Sequence, residues 1–201
     1  MPKLSDDTVA KNKLKIERAA LKLFTRQGFH GTTVREIARA AGVSMGKLYL
    51  YYPTKEDIFI DLVHHMGQKM EALREKELLP LMKSPDPESL RKLGMAIGRI
   101  VSENLDYWRL MYVDVVEFRH KHFIHSYREI AGGLRNFSTA LFQKAPNPFP
   151  GTVKPGFAYV SLYLQFVTYF LMEELFGAKR HLGAGDEEAV DQFVRLYTRS
   201  G

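Results

Sequence analysis

Apolar residues recur along this chain at spacings of three and four, and no run of strand-like alternation interrupts them. The pattern predicts an all-α fold of nine helices. A first helix over 8–27 stops at Gly28, a second over 34–41 stops at Gly42, and a short third follows Ser44. The fourth begins after Pro53 and runs to Leu79, where Pro80 is expected to end it. Start signals support these boundaries. Thr33 and Thr54 are each followed three residues later by an acid, Glu36 and Asp57, as in a capping box. Ser44 is placed to cap the third helix, and Asp86 followed by Pro87 opens a fifth over 86–104. The sixth is predicted over 106–118 and the seventh over 121–144. The segment APNPFPG at 145–151 admits no helix, and the eighth and ninth follow over 155–177 and 186–199.

Charge divides the chain unevenly. Residues 1–60 hold eleven Lys/Arg against six Asp/Glu, a net of +5; the remainder holds eighteen against seventeen, a net of +1. Basicity concentrated in the first third suits a surface that faces a polyanion. We therefore expect a head over 1–53 that binds DNA and a body over 54–201 for ligand binding and dimerisation. The absence of cysteine removes disulfides, thiolate metal sites and cysteine nucleophiles together. It suits a reducing cytoplasm, and the N-terminal MPKLSDDTVAKNK has no apolar stretch of a secretory signal.

The second and third predicted helices carry the most specific pattern. A helix-turn-helix needs a small residue where its helices cross, glycine at the turn, and an apolar anchor beneath the second helix. Ala38, Gly42 and Leu48 meet these needs in order, flanked by Ile37 and Val43. The stretch IERAALKLFTRQGFHGTTVREIARAAGVSMGKLYLYYPTKEDIF, residues 16–59, resembles the DNA-binding head of the TetR family of bacterial transcriptional regulators. Ala19-Ala20, Thr32-Thr33-Val34, Ala41-Gly42-Val43-Ser44, Leu48-Tyr49 and Lys55-Glu56 carry the match without a gap. The resemblance implies that the third helix enters the major groove of double-stranded operator DNA. By position it implies contacts from Ser44, Met45, Gly46, Lys47, Tyr49 and Tyr51, with Lys55 on a phosphate and Thr33 and Arg35 on the opposite backbone. Leu50 and Tyr51 depart from the family's usual residues, so any contact at Leu50 is apolar.

The body is expected to supply a homodimer interface and a site for a small apolar effector. For the interface, the last two helices offer Leu164, Thr168, Leu171 and Leu175, then Val190, Phe193, Val194 and Tyr197. For the effector, adaptable methionines and aromatics are the candidates. They are Met66, Met70, Met95, Trp108, Met111 and Tyr112, then Phe118, Phe123, Tyr127, Tyr163 and Phe166. Arg109, Arg119 or Arg128 near such a site would suit an acidic, lipid-like effector such as an acyl-CoA. Residues 155–172 carry no charge, but Ser161, Gln165 and Thr168 interrupt them, so burial explains them better than a membrane span. His120, His122 and His125 do not align on one helical face, so we expect solvent-facing histidines and no metal or other cofactor. No Ser/His/Asp motif, phosphate-binding glycine loop or HExxH is present, which argues against an enzyme. The reading that results is a ligand-responsive regulator, a repressor in the first instance, on a palindromic operator. The alternative is a helical adaptor that binds protein and not DNA.

Overall fold

A computed structural model describes residues 6–149 and 153–198. Among the described residues every regular element is helical. We number nine helices: α1 (Asp6–Gln27), α2 (Val34–Ala41), α3 (Met45–Tyr51), α4 (Lys55–Leu73 and its continuation to Met82), α5 (Pro87–Glu103), α6 (Leu105–Glu117), α7 (Ile124–Leu141), α8 (Pro155–Phe176) and α9 (Asp186–Tyr197). The predicted helices are all present, and several boundaries move. Pro80 does not end α4. A π-helical turn over Arg74–Leu78 precedes it, and Leu79–Met82 adds a final turn. The Leu79 N–H bonds back to Arg74 O, so the backbone is already widened where proline can give no hydrogen bond. The seventh helix spans Ile124–Leu141 instead of 121–144, and the ninth ends at Tyr197. Residue 199 and loop residues 150–151 lie outside the described residues.

The chain forms two compact units, and they do not divide at 53/54. The first takes the residues up to Lys69 together with Asp106–Ile124; the second takes Met70–Leu105 and the residues from His125 onward. The cause of the shift within the first unit is aromatic. Phe118 packs on Phe29 at a centroid distance of 4.5 Å and on Phe59 at 4.7 Å. That brings the end of α6 onto a core built from Ile16, Ala20, Phe24, Ile37, Leu48 and Ile58. Between α6 and α7 the chain turns through Arg119 and His120, both left-handed (φ 53° and 58°). Asp114, wholly buried, closes this turn by accepting the backbone N–H groups of His122 (3.2 Å) and Phe123 (3.0 Å).

In the second unit α5 packs chiefly against α8 and α9. Leu90, Leu93, Ile97 and Val101 of α5 are buried, as are Tyr159, Leu162, Phe166 and Phe170 of α8. Close approach depends on two glycines of α5. A Cβ at Gly94 would lie 2.8 Å from Val190 and 2.9 Å from the Phe166 ring, and one at Gly98 would lie 2.6 Å from the Phe170 ring. This packing corrects part of the expected dimer interface. Leu171, Val190, Phe193 and Val194 are buried within this unit, because the apolar stripe of α9 faces α5 and α8. Leu164 and Thr168 are exposed, and Leu175 and Tyr197 are half-buried.

The N-terminus of α5 illustrates how the helix starts are held. Asp86 accepts from the Ser89 N–H at 3.0 Å and from the Ser84 hydroxyl at 2.8 Å. The hydrogen bonds to Ser89 bring its pKa down to about 2. A depressed folded pKa means that the cap stabilises the fold above the ordinary aspartate value and is lost as pH falls below it. Asp86→Ala is therefore expected to cost about 1 kcal/mol at pH 7. In urea titrations the difference from the parent should shrink between the ordinary value of 3.8 and about 2.

Candidate nucleic-acid interface

The α2–α3 hairpin is built from local signals. Thr33 and Glu36 form a complete capping box at the start of α2. At its end Gly42 takes the left-handed conformation (φ 66°), with Gly42 N–H on Arg39 O and Val43 N–H on Ala38 O, so the chain reverses within two residues. Ser44 then caps α3, its hydroxyl accepting from the Lys47 N–H at 3.2 Å. Leu48 is wholly buried beneath α3 and Ala38 is nearly so at the crossing.

With Leu48 pointing inward, helical geometry sends Gly46 and Leu50 outward, flanked by Lys47 and Tyr49. The exposures agree. Gly46 and Leu50 are exposed, Tyr49 is 47% accessible, and Met45, Lys47 and Tyr51 are half-buried. A Cβ placed on Gly46 would meet nothing within 4 Å, so the backbone there is open to close approach. Arg35, on α2, is exposed. The Tyr51 phenol oxygen accepts from the Asn12 side chain at 3.1 Å, which leaves its O–H as a donor. Thr33 and Ser44 use their hydroxyl oxygens in capping.

Lys55 is placed differently from the expectation of a phosphate contact. Its ammonium donates to Phe29 O and Thr32 O, both at 2.6 Å, and lies 4.2 Å above the Phe29 ring. Burial pushes its pKa down, while Glu117 and Glu36 oppose that shift. In this arrangement Lys55 holds the turn before α2.

Two supports escaped the reading of the sequence. Glu117, the last residue of α6, accepts the backbone N–H groups of Phe29 (2.9 Å) and His30 (2.6 Å). The α1–α2 turn is thus gripped at its donors by Glu117 and at its acceptors by Lys55. The second support is Glu17 of α1, buried, which accepts the Tyr52 hydroxyl at 2.6 Å and meets His65 Nδ1 at 2.9 Å. Burial and Glu17 together raise the Tyr52 phenol pKa, so the group stays a donor. Tyr52 follows α3 directly, so this contact fixes the end of that helix.

The comparisons match this geometry. Residues 16–62 match the family model described as bacterial regulatory proteins, tetR family. Over these residues the chain is similar to the TetR family. The transcriptional repressor AcnR of Corynebacterium jeikeium is 33% identical over 91 residues, which are 43% of this chain and 48% of AcnR. The match thus spans about half the length of that relative. AibR, solved in complex with isovaleryl coenzyme A and operator DNA, is 18% identical with a TM-score of 0.62 over 93% of this chain and 98% of its own. A tetR-family regulatory protein from Rhodococcus RHA1 is 16% identical with a TM-score of 0.69, covering 94% of this chain and 98% of its own. At these identities the solved structures establish the TetR-like fold alone.

The expected effector residues fall in both units. Met66, Trp108, Met111, Tyr112, Phe118 and Phe123 belong to the first; Met70, Met95, Tyr127, Tyr163 and Phe166 belong to the second. Phe118 is part of the aromatic core beneath the head and Phe166 is wholly buried against α5, so both serve packing. Tyr112 and Tyr127 are exposed. The Trp108 indole N–H is buried with no hydrogen-bond partner among the described residues. His120 and His125 are exposed as expected, but the His122 side chain is 9% accessible and lies between the Phe59 and Phe118 rings. Among the described residues no helix is long and apolar enough to cross a membrane, and no group of His, Cys, Asp and Glu is arranged to hold a metal ion.

Removing the Glu117 carboxylate leaves two backbone donors of the head without their acceptor. Glu117→Ala is expected to lower stability by about 1–3 kcal/mol in urea unfolding. Hydrogen exchange at the Phe29 and His30 amides should accelerate more than at other amides of the head.

Proposed function

We propose that this protein is a ligand-responsive transcriptional regulator, acting as a repressor, that binds a palindromic operator as a homodimer. The observation that carries this reading is α3 itself. It is a separately capped helix with its anchor buried, its glycine open and Lys47 and Tyr49 beside its outer line. A helix presented in this way fits the major groove, where Lys47 can meet a guanine edge or a phosphate. Arg35 and Thr33, at the start of α2, would approach the neighbouring phosphates. The basic balance of residues 1–60 supplies the non-specific attraction. AcnR, named as a repressor, supports the sign of regulation.

Dimerisation would use the outer face of α8. Phe157, Leu164, Thr168 and Leu175 follow one another at helical spacing, and Phe157 and Leu164 are 70% and 50% accessible. Homodimers of this kind set two recognition helices one turn of DNA apart. An apolar effector would bind in the body and shift the balance between states that can and cannot engage both half-sites. The unpartnered Trp108 N–H supports a ligand with a hydrogen-bond acceptor in an apolar body. The isovaleryl coenzyme A bound to AibR favours short acyl-CoA thioesters as the first class to examine.

Selection of the full-length protein on randomised duplex DNA tests the central claim. A two-fold symmetric site should be enriched, and Lys47→Ala should weaken binding to it and reduce the slope of affinity against salt by about one. Enrichment of no sequence would overturn the reading in favour of an adaptor. On the same site, short acyl-CoA thioesters should release the DNA and change the emission of Trp108, the single tryptophan. Unchanged DNA affinity across that series would exclude this effector class and leave operator binding standing.

A further inference from the structure

We propose that Leu50 reads the C5-methyl group of a thymine in each operator half-site. The inference rests on the operator-binding reading and adds to it one chemical group of the DNA. Exposed leucines are common and carry no message singly. Leu50 differs in its place. It is 69% accessible, against 46% for Leu14, 47% for Tyr49 and 44% for Ile60, the other exposed large apolar side chains before Lys69 among the described residues. It also stands on the outward line of α3, opposite the buried Leu48.

The surroundings sharpen the choice of partner. Helical side chains lean towards the N-terminus of their helix, so Leu50 lies over the turn that contains Gly46. Gly46 has no side chain, and nothing lies within 4 Å of where one would begin. The helix can therefore come close to the floor of a groove, with an isobutyl group projecting from its last turn. The flanking residues are Lys47 and Tyr49, which suit polar edges and phosphates. An isobutyl group offers no hydrogen bond to a base edge or a phosphate. On the major-groove face of the base pairs, the apolar group on offer is the thymine methyl. Leu50 is thus matched to one base by what it lacks.

The test removes the methyl alone. The palindrome enriched by the parent protein is synthesised with deoxyuridine in place of thymidine, one symmetric pair of positions at a time. At one such pair the parent should lose about fourfold in affinity per half-site, the worth of one buried methyl, and on the order of fifteenfold for the pair. Leu50→Ala should bind the thymine site more weakly by a similar factor and should no longer distinguish it from the uracil site. Leu50→Met, still long and apolar, should retain the discrimination. Both variants alter an exposed side chain, and matching thermal unfolding of the free proteins will show that the fold is unchanged. If Leu50→Ala feels every uracil substitution as the parent does, or if no substitution costs the parent anything, the assignment is wrong. If the parent enriches no sequence, the operator-binding reading fails first, and the two failures remain distinct.

Discussion

A helix of seven residues cannot sustain itself in water, because each helix must repay a costly first turn. α3 stands because the head holds it at three points. Ser44 satisfies the Lys47 N–H at its start, Leu48 is sunk into the core at its middle, and Tyr52 is bonded to Glu17 at its end. None of these residues lies on the outer line of the helix. The inner residues fix where the helix sits, and the outer residues are left free to decide what it meets. Such a division lets the reading surface change while the support stays as it is.

The parts of this fold that were legible in the sequence are those that depend on near neighbours. The caps at Thr33, Thr54, Ser44 and Asp86 are realised because each closes within three residues. Gly42 is likewise local. Where contact depends on distant residues, the periodicity of the sequence identifies a face without naming what it faces. The stripe Val190, Phe193 and Val194 is apolar in either setting, and only the packing on α5 assigns it to the chain's own core. Phe118 similarly reads as an adaptable aromatic, yet it completes the cluster beneath the head. Glu117 offered one signal. An acid at the last residue of a helix opposes the helix dipole, so another partner must hold it there.

The described residues also show a common use for acidic side chains. Asp114 closes the turn after α6, Glu117 holds the turn after α1, and Glu173, buried in α8, accepts the Arg180 N–H at 2.6 Å in the loop after that helix. In each case a carboxylate on a helix satisfies the backbone of a turn that would otherwise leave donors unpaired. The left-handed residues Arg119, His120 and Arg180 lie in two of these turns, where anchoring is most needed. The acids serve as fasteners for irregular backbone, a role that demands position more than reactivity.

Gly94 and Gly98 give α5 a surface without side chains, into which the rings of Phe166 and Phe170 are pressed. The volume at that crossing is therefore shared between pairs of positions on different helices. Along a line of descent, a larger residue could be accepted at 98 only if atoms were given up at 170, and similarly for 94 with 166 or 190. These pairs should drift together through evolution, linking three stretches of sequence by a conserved sum of sizes.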